Sequence, residues 1–352
     1  VPNSPGTAPL GAPTGLCGVQ FPAPFYQGGG AALVVFIWAL WIARRHLGWV
    51  AKAAIRPRPG RPDSESPLPY RLAFPGLILS FGFMVWFCWL AGCRVVFGMV
   101  VVGLIVAYYV MWARVRAETG IGFIPFPLEI QNGLVSALGS GWFTPRELVT
   151  LISLRWAYFP GFGETAEVIT RNALESYKIA DAARINARRL TYSMMVGFLV
   201  SLMLGTYLIL TGCCRQGYFS LAMGGAYGWP SWQTRNDGSR IFSFLTNVTK
   251  PDANAVVAMG AGGLLAALLG ALRLRFWWWP FHPVGYLAAH CWGMHWYYMP
   301  FLVGWASKVL VTRYGGLRLY RVTIPVAIGL IVGDQLNSAL WAGVALITGG
   351  HM

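Results

Sequence analysis

Two apolar runs, 72–92 and 95–112, hold no charged residue and are separated only by Cys93 and Arg94. Runs of this length rise far enough as helices, at about 1.5 Å per residue, to traverse a hydrocarbon layer of roughly 30 Å. A two-residue connection makes them an antiparallel hairpin. Further apolar stretches occupy 28–43, 190–212, 253–272, 283–296, 297–311 and 325–347. Of the 352 residues 56% are hydrophobic and only 11% charged, too few charges to coat a soluble globule of this size. The expected fold is all-α, a polytopic transmembrane helix bundle of about eight spans plus a broken or re-entrant segment, with the lipid bilayer as its first partner.

Lys and Arg exceed Asp and Glu by 27 to 12, a net charge of +15. In a soluble chain that excess would suggest nucleic acid. Here the cations flank apolar runs, the pattern that sets membrane topology, so no nucleic-acid partner is expected. Placing 44–71, 114–189, 273–275 and 308–321 on one side puts 22 of the 27 Lys and Arg there and 5 opposite. By the positive-inside rule the first side is cytoplasmic and both termini lie outside.

The organisation follows from these assignments. Residues 1–27 form an extracytoplasmic Pro/Gly-rich segment. A three-span bundle, 28–112, encloses the basic cytoplasmic loop 44–71. The region 113–189 combines a broken segment with cytoplasmic amphipathic helices, and 190–352 is a C-terminal membrane bundle with an outer loop at 213–250. The broken segment, 118–143, mixes Gly, Pro, Glu129, Gln131 and Asn132 into an apolar background that a lipid-facing helix does not tolerate. Directly after it, Thr144-Pro145-Arg146-Glu147 has the spacing of a capping box with Pro at the first helical position. The charged helix ending near Arg189 is expected to continue unbroken into 190–212. Small residues spaced by four at Gly263/Ala267 and Ala266/Gly270 suit close helix packing.

The stretch Arg116-Ala-Glu-Thr-Gly, then Phe126-Pro127, the segment FWWWPFHPVGYLAAHCWGMHWYYMPFLVGWASKVLVTRYGGLRLYR at 276–321 and GLIVGD at 329–334 carry a resemblance. With them the chain resembles a group of uncharacterised prokaryotic multi-pass membrane proteins similar to the oligopeptide transporter superfamily. The resemblance covers most of the chain, 276–334 most specifically. It implies a membrane carrier in the prokaryotic cytoplasmic membrane. Members of the group are longer than 352 residues, which implies an absent N-terminal half.

Candidate site residues are few. Asp334 sits well inside an apolar run, where an ionisable side chain is by default a functional group. It could carry a proton, or coordinate a coupling cation with Gln335 and Asn337. The alternative is a neutral or paired Asp capping a helix broken after Gly333. His290, Cys291 and His295 could ligate a metal, but no fourth ligand stands nearby, so neither metal nor cofactor is expected and a proton relay through the His pair is favoured. Glu129 and Asn132 belong to the broken segment, where carriers place solutes and ions; the competing reading leaves Glu129 in cytosolic water. Glu118 is expected to pair with Arg114 or Arg116, and Arg155 to snorkel to the interface. An oxidising exterior would permit a disulfide, for example Cys93 with Cys213 or Cys214. No G-x-S-x-G, P-loop or H-E-x-x-H motif is present.

The expected function is cation-coupled secondary transport, with H+ or Na+, of a small solute whose range includes peptide-like compounds. No enzyme activity is expected. A homo-oligomer fits the same reading. The alternatives are a non-catalytic membrane scaffold subunit and an intramembrane enzyme.

Overall fold

Gly92, with φ of +85°, turns the chain between two membrane helices in a left-handed backbone conformation that strains any residue with a side chain, and Arg146 lies against it. This is the hairpin turn expected at Cys93-Arg94. A computed structural model describes residues 23–55, 67–120, 128–158, 166–216, 229–291 and 294–348. Their helices are α1 (Pro24–Ile55), α2 (Tyr70–Leu90), α3 (Val95–Thr119), α4 (Ile130–Leu138), α5 (Pro145–Ser153), α6 (Arg155–Tyr158), α7 (Ala166–Ala182), α8 (Ala187–Gln216), α9 (Trp229–Thr246), α10 (Ala253–Arg275), α11 (Pro283–Ala289) and α12 (Met294–Thr348). Among the described residues there is no strand. The fold is an all-α polytopic bundle, and six helices are long and apolar enough to cross a membrane: α1, α2, α3, α8, α10 and α12.

Six such helices stand against about eight apolar stretches for identifiable reasons. The stretch 283–296 contains the seven-residue α11, too short to cross, and the first residues of α12. The stretches 297–311 and 325–347 fall in one helical element, α12, which bends at Gly316 (φ 61°, ψ −167°). Lys308 Nζ stands 5.7 Å from the Tyr320 ring. Twelve residues of straight helix would separate the two by about 18 Å along the axis, so the bend is sharp.

The chain divides into two compact units, 1–294 and 295–352. In the first, α1 and α10 run parallel at very close range. A Cβ on Gly30 would stand 1.8 Å from the Met259 carbonyl oxygen, and one on Gly262 would stand 2.1 Å from that of Gln27. Gly262, Gly263, Ala266 and Gly270 make the buried stripe of α10, so the small-residue spacing serves helix contact. Residues 24–27, assigned by sequence to an outer segment, already belong to α1, and Tyr26 is fully buried with its hydroxyl 2.8 Å from Ser136 Oγ.

Of the broken segment, 118–119 end α3 and 128–143 carry α4, while 121–127 lie outside the described residues. Helix α4 and the following α5 and α6 make a short pair of arms beside α3, one leaving its middle and one returning to it. At one end, the Ser136 carbonyl accepts from Asp252 N and the Thr249 carbonyl accepts from Ser140 N. The capping box of Thr144 and Glu147 is formed in both directions and starts α5 at that same end, beside Arg94. At the other end the Tyr108 hydroxyl donates to the Leu128 carbonyl and the Tyr109 hydroxyl to the Ala157 carbonyl. Tyr108 is 13 residues from Val95 and 11 from Thr119. The chain is therefore pinned about 20 Å from one end of α3 and about 17 Å from the other.

Three boundaries differ from the sequence reading. Helices α7 and α8 are not continuous: Arg184 adopts φ of +56°, and Asn186 Oδ1 caps α8 by accepting from Arg188 N and Arg189 N. The region 213–250 is not all loop, because it contains α9, which packs along α5. Arg146 sits at the Cys93-Arg94 turn rather than on the side of Arg114, since its carbonyl accepts from the Cys93 thiol.

Candidate ion-pair site at membrane depth

Glu129 is extended and precedes α4, which begins at Ile130, and Tyr108 anchors the neighbouring Leu128 through its carbonyl. The Glu129 side chain therefore sits at the start of a nine-residue helix near the middle of α3. Gln131 Nε2 and Asn132 Nδ2, in the first turn of α4, donate to Glu129 Oε2 at 2.7 and 3.0 Å. Arg155 opens α6 and reaches Glu129 Oε1 through Nη2 at 2.7 Å. Its Nη1 donates to Asp237 Oδ1 of α9 at 2.6 Å. Arg240, one turn further along α9, donates to Glu129 Oε2.

Two cations and two anions thus converge; Arg155 is 3% exposed, Glu129 9% and Asp237 8%, while the Arg240 side chain, 24% exposed, forms the solvent-facing edge of the set. Isolated charges at such burial would be prohibitive. Mutual compensation offsets that cost only while the partners stay in place. The two carboxylates differ. Both oxygens of Glu129 are engaged, whereas Asp237 Oδ2 is buried with no hydrogen-bond partner among the described residues. Burial pushes the Asp237 carboxyl up from its ordinary range, against the opposing pull of Arg155 and Arg240.

A second, separate ion pair closes the end of the bundle. Arg94 makes a two-pronged contact with Glu147, Nε to Oε1 at 2.8 Å and Nη2 to Oε2 at 2.9 Å, and lies over the Trp142 ring. Burial alone would raise the Glu147 carboxyl. The Arg94 guanidinium and the backbone N–H groups of Thr144 and Arg94 outweigh it and hold it down at about 2. Beside this pair the Cys93 thiol donates to Thr150 Oγ1 at 3.3 Å. Cys93 and Cys214 are free thiols, so the disulfide permitted by sequence between them is not formed, and the side chain of Cys213 lies outside the described residues.

Of the sequence-derived candidates, Glu129 and Asn132 are in the buried site. The cytosolic reading of Glu129 is thereby corrected, as is snorkelling for Arg155, whose guanidinium points inward. Glu118 pairs with Arg114, as expected, and also stands 3.5 Å from His282 Nε2. The His290 ring packs against Tyr286 with ring centres 4.3 Å apart and planes tilted by 57°, and its Nδ1 meets the Tyr286 carbonyl. The Cys291 thiol donates to the Leu287 carbonyl, and the Tyr286 hydroxyl donates to Gln27 Oε1. Among the described residues no three His, Cys, Asp or Glu side chains converge as metal ligands. His295 falls in α12, and its side chain is outside the described residues. Asp334, Gln335 and Asn337 are exposed on α12, in the second unit, and the structure gives Asp334 no hydrogen bond or ion pair among the described residues.

Asp237 and Arg240 escaped sequence reading, and Glu147 is legible there only as a helix cap, not as the partner of Arg94. The spacing of Asp237 and Arg240, three apart, was a usable helical signal, hidden because 213–250 is too polar to read as a membrane element. Six apolar helices with ionisable groups buried among shorter elements define an integral membrane protein. The chain belongs to DUF6785, a family of unknown function whose pattern matches residues 7–352. No curated protein and no solved structure matches it.

Proposed function

We propose that the protein is a secondary transporter, a cation-coupled carrier of a small solute, with peptide-like compounds in its range, acting in a prokaryotic cytoplasmic membrane. The observation that carries this reading is the buried set Glu129, Arg155, Asp237 and Arg240, held near the middle of α3 by short, interrupted helices. Ionisable groups at such depth are costly, and in membrane proteins they mark ion and solute pathways. Broken helices that meet at mid-depth are where carriers bind their cargo. Paired charges of both signs can exchange partners with a solute bearing a carboxylate or an ammonium, at little net change in buried charge. Asp334, with Gln335 and Asn337, is a second proposed point on the ion pathway, and His290 and His295 complete the proposed set. The sequence resemblance to proteins similar to the oligopeptide transporter superfamily is taken as part of the same proposal.

The test is uptake into proteoliposomes. Solute accumulation that collapses when the proton or sodium gradient is dissipated supports a carrier. Absence of flux with pooled peptides and metabolites, together with stable co-purification of a partner complex, supports a scaffold instead.

A further inference from the structure

The geometry points to Asp237 as the proton-binding carboxyl of the buried site, with Glu129 as the fully hydrogen-bonded carboxylate that shares Arg155 with it. This deepens the carrier reading and rests on it only for the use made of the proton. The two carboxylates share Arg155 but are not equivalent. Glu129 accepts from Arg155, Arg240, Gln131 and Asn132, so both its oxygens are engaged. Asp237 has one donor, Arg155 Nη1 on Oδ1, and a buried Oδ2 without a partner among the described residues. A lone pair left bare in a buried carboxylate is a site of unmet demand, and a proton on Oδ2 meets it while Oδ1 keeps its contact with Arg155.

The surroundings favour the same carboxyl. The charged groups facing Asp237 are Arg155 from α6, Glu129 from the segment before α4 and Arg240 from its own helix. Helix α5, which packs along α9, carries its charges Arg146 and Glu147 at its far end, by the Cys93-Arg94 turn. Burial outweighs the two arginines and Glu129 adds repulsion, which pushes the Asp237 carboxyl up. The proton comes from water and returns to it, and no other bond changes. Protonation leaves the site with one positive charge in excess, so a solute held there in that state brings a negative group.

Infrared difference spectroscopy on the purified full-length protein, titrated with pH and with no solute added, reads this directly. The expected result is a protonated-carboxyl band that is lost as pH rises, absent in D237N and retained in E118Q. Persistence of the band in D237N, or no such band in the wild-type protein, overturns the proposal. If D237N does not survive purification, D237E decides: a displaced band supports Asp237 and an unmoved band overturns it. The outcome is independent of flux, so failure to transport would remove the carrier reading and leave the proton site standing.

Discussion

Arg155 Nη2 stands 2.7 Å from Glu129 Oε1, though the two residues open different short helices and both are buried. Tyr108 and Tyr109, adjacent on α3, hold the Leu128 and Ala157 carbonyls, each within two residues of one member of the pair. Two tyrosines on one span thus anchor both short arms. The buried charges are compensated by position as well as by sign.

Removing Arg155 should be severe. R155M takes from Asp237 its hydrogen-bonded cation and leaves Glu129 with Arg240, and breaking a buried pair from one side costs about 3–5 kcal/mol. Thermal unfolding in detergent should show a large fall, with R155K intermediate because a point charge cannot hold both carboxylates in the forked geometry. An unchanged melting curve for R155M would show that the contact contributes nothing.

The Arg94–Glu147 pair predicts acid sensitivity. Glu147 is held down to about 2 from 4.5, so its contribution is present above 4.5 and is lost as pH falls towards 2. Melting temperature measured over that window should drop more steeply in the wild type than in E147Q. Parallel curves would contradict the assignment.

Asp237 has the opposite sign. Its carboxyl is raised from 3.8, so the stability it contributes is complete below 3.8 and declines as pH rises through the folded-state value. D237N should flatten that alkaline-side decline. A variant that declines as the wild type does would mean another group is responsible.

Close approach of α1 and α10 gives a backbone prediction. G262A places a Cβ about 2.1 Å from the Gln27 carbonyl and should destabilise by about 1–3 kcal/mol, as overpacked interiors do. G260A, on the same helix with open space around it, should be neutral. The comparison of the two by monodispersity and unfolding temperature isolates packing from helix propensity, and equal behaviour would refute the contact.

Legibility in the sequence tracked the physics of each element. The hairpin at Cys93-Arg94, the capping box at Thr144 and the small stripe of α10 were readable because each depends on neighbours in the chain. Glu129 and Asn132 stood out as polar residues in an apolar, proline-broken background. Asp237 and Arg240 did not, because α9 gains its helical environment from packing on α5, a contact between distant segments. Arg155 was visible but read outward, since its partners lie 26 residues before it and 82 after it. Break points such as Arg184 and Gly316 depend on backbone angles that hydropathy does not register.

Proton movement in liposomes carrying an internal pH indicator decides most directly whether the buried charges serve a carrier. With an external pool of peptides and acidic metabolites, wild-type protein should acidify the lumen. E129Q, which keeps a hydrogen-bonding group but no charge for Arg155 and Arg240, should abolish that signal while eluting as a folded protein. Equal acidification by E129Q and wild type, or none by wild type with any solute pool, would contradict a transport role for the buried site.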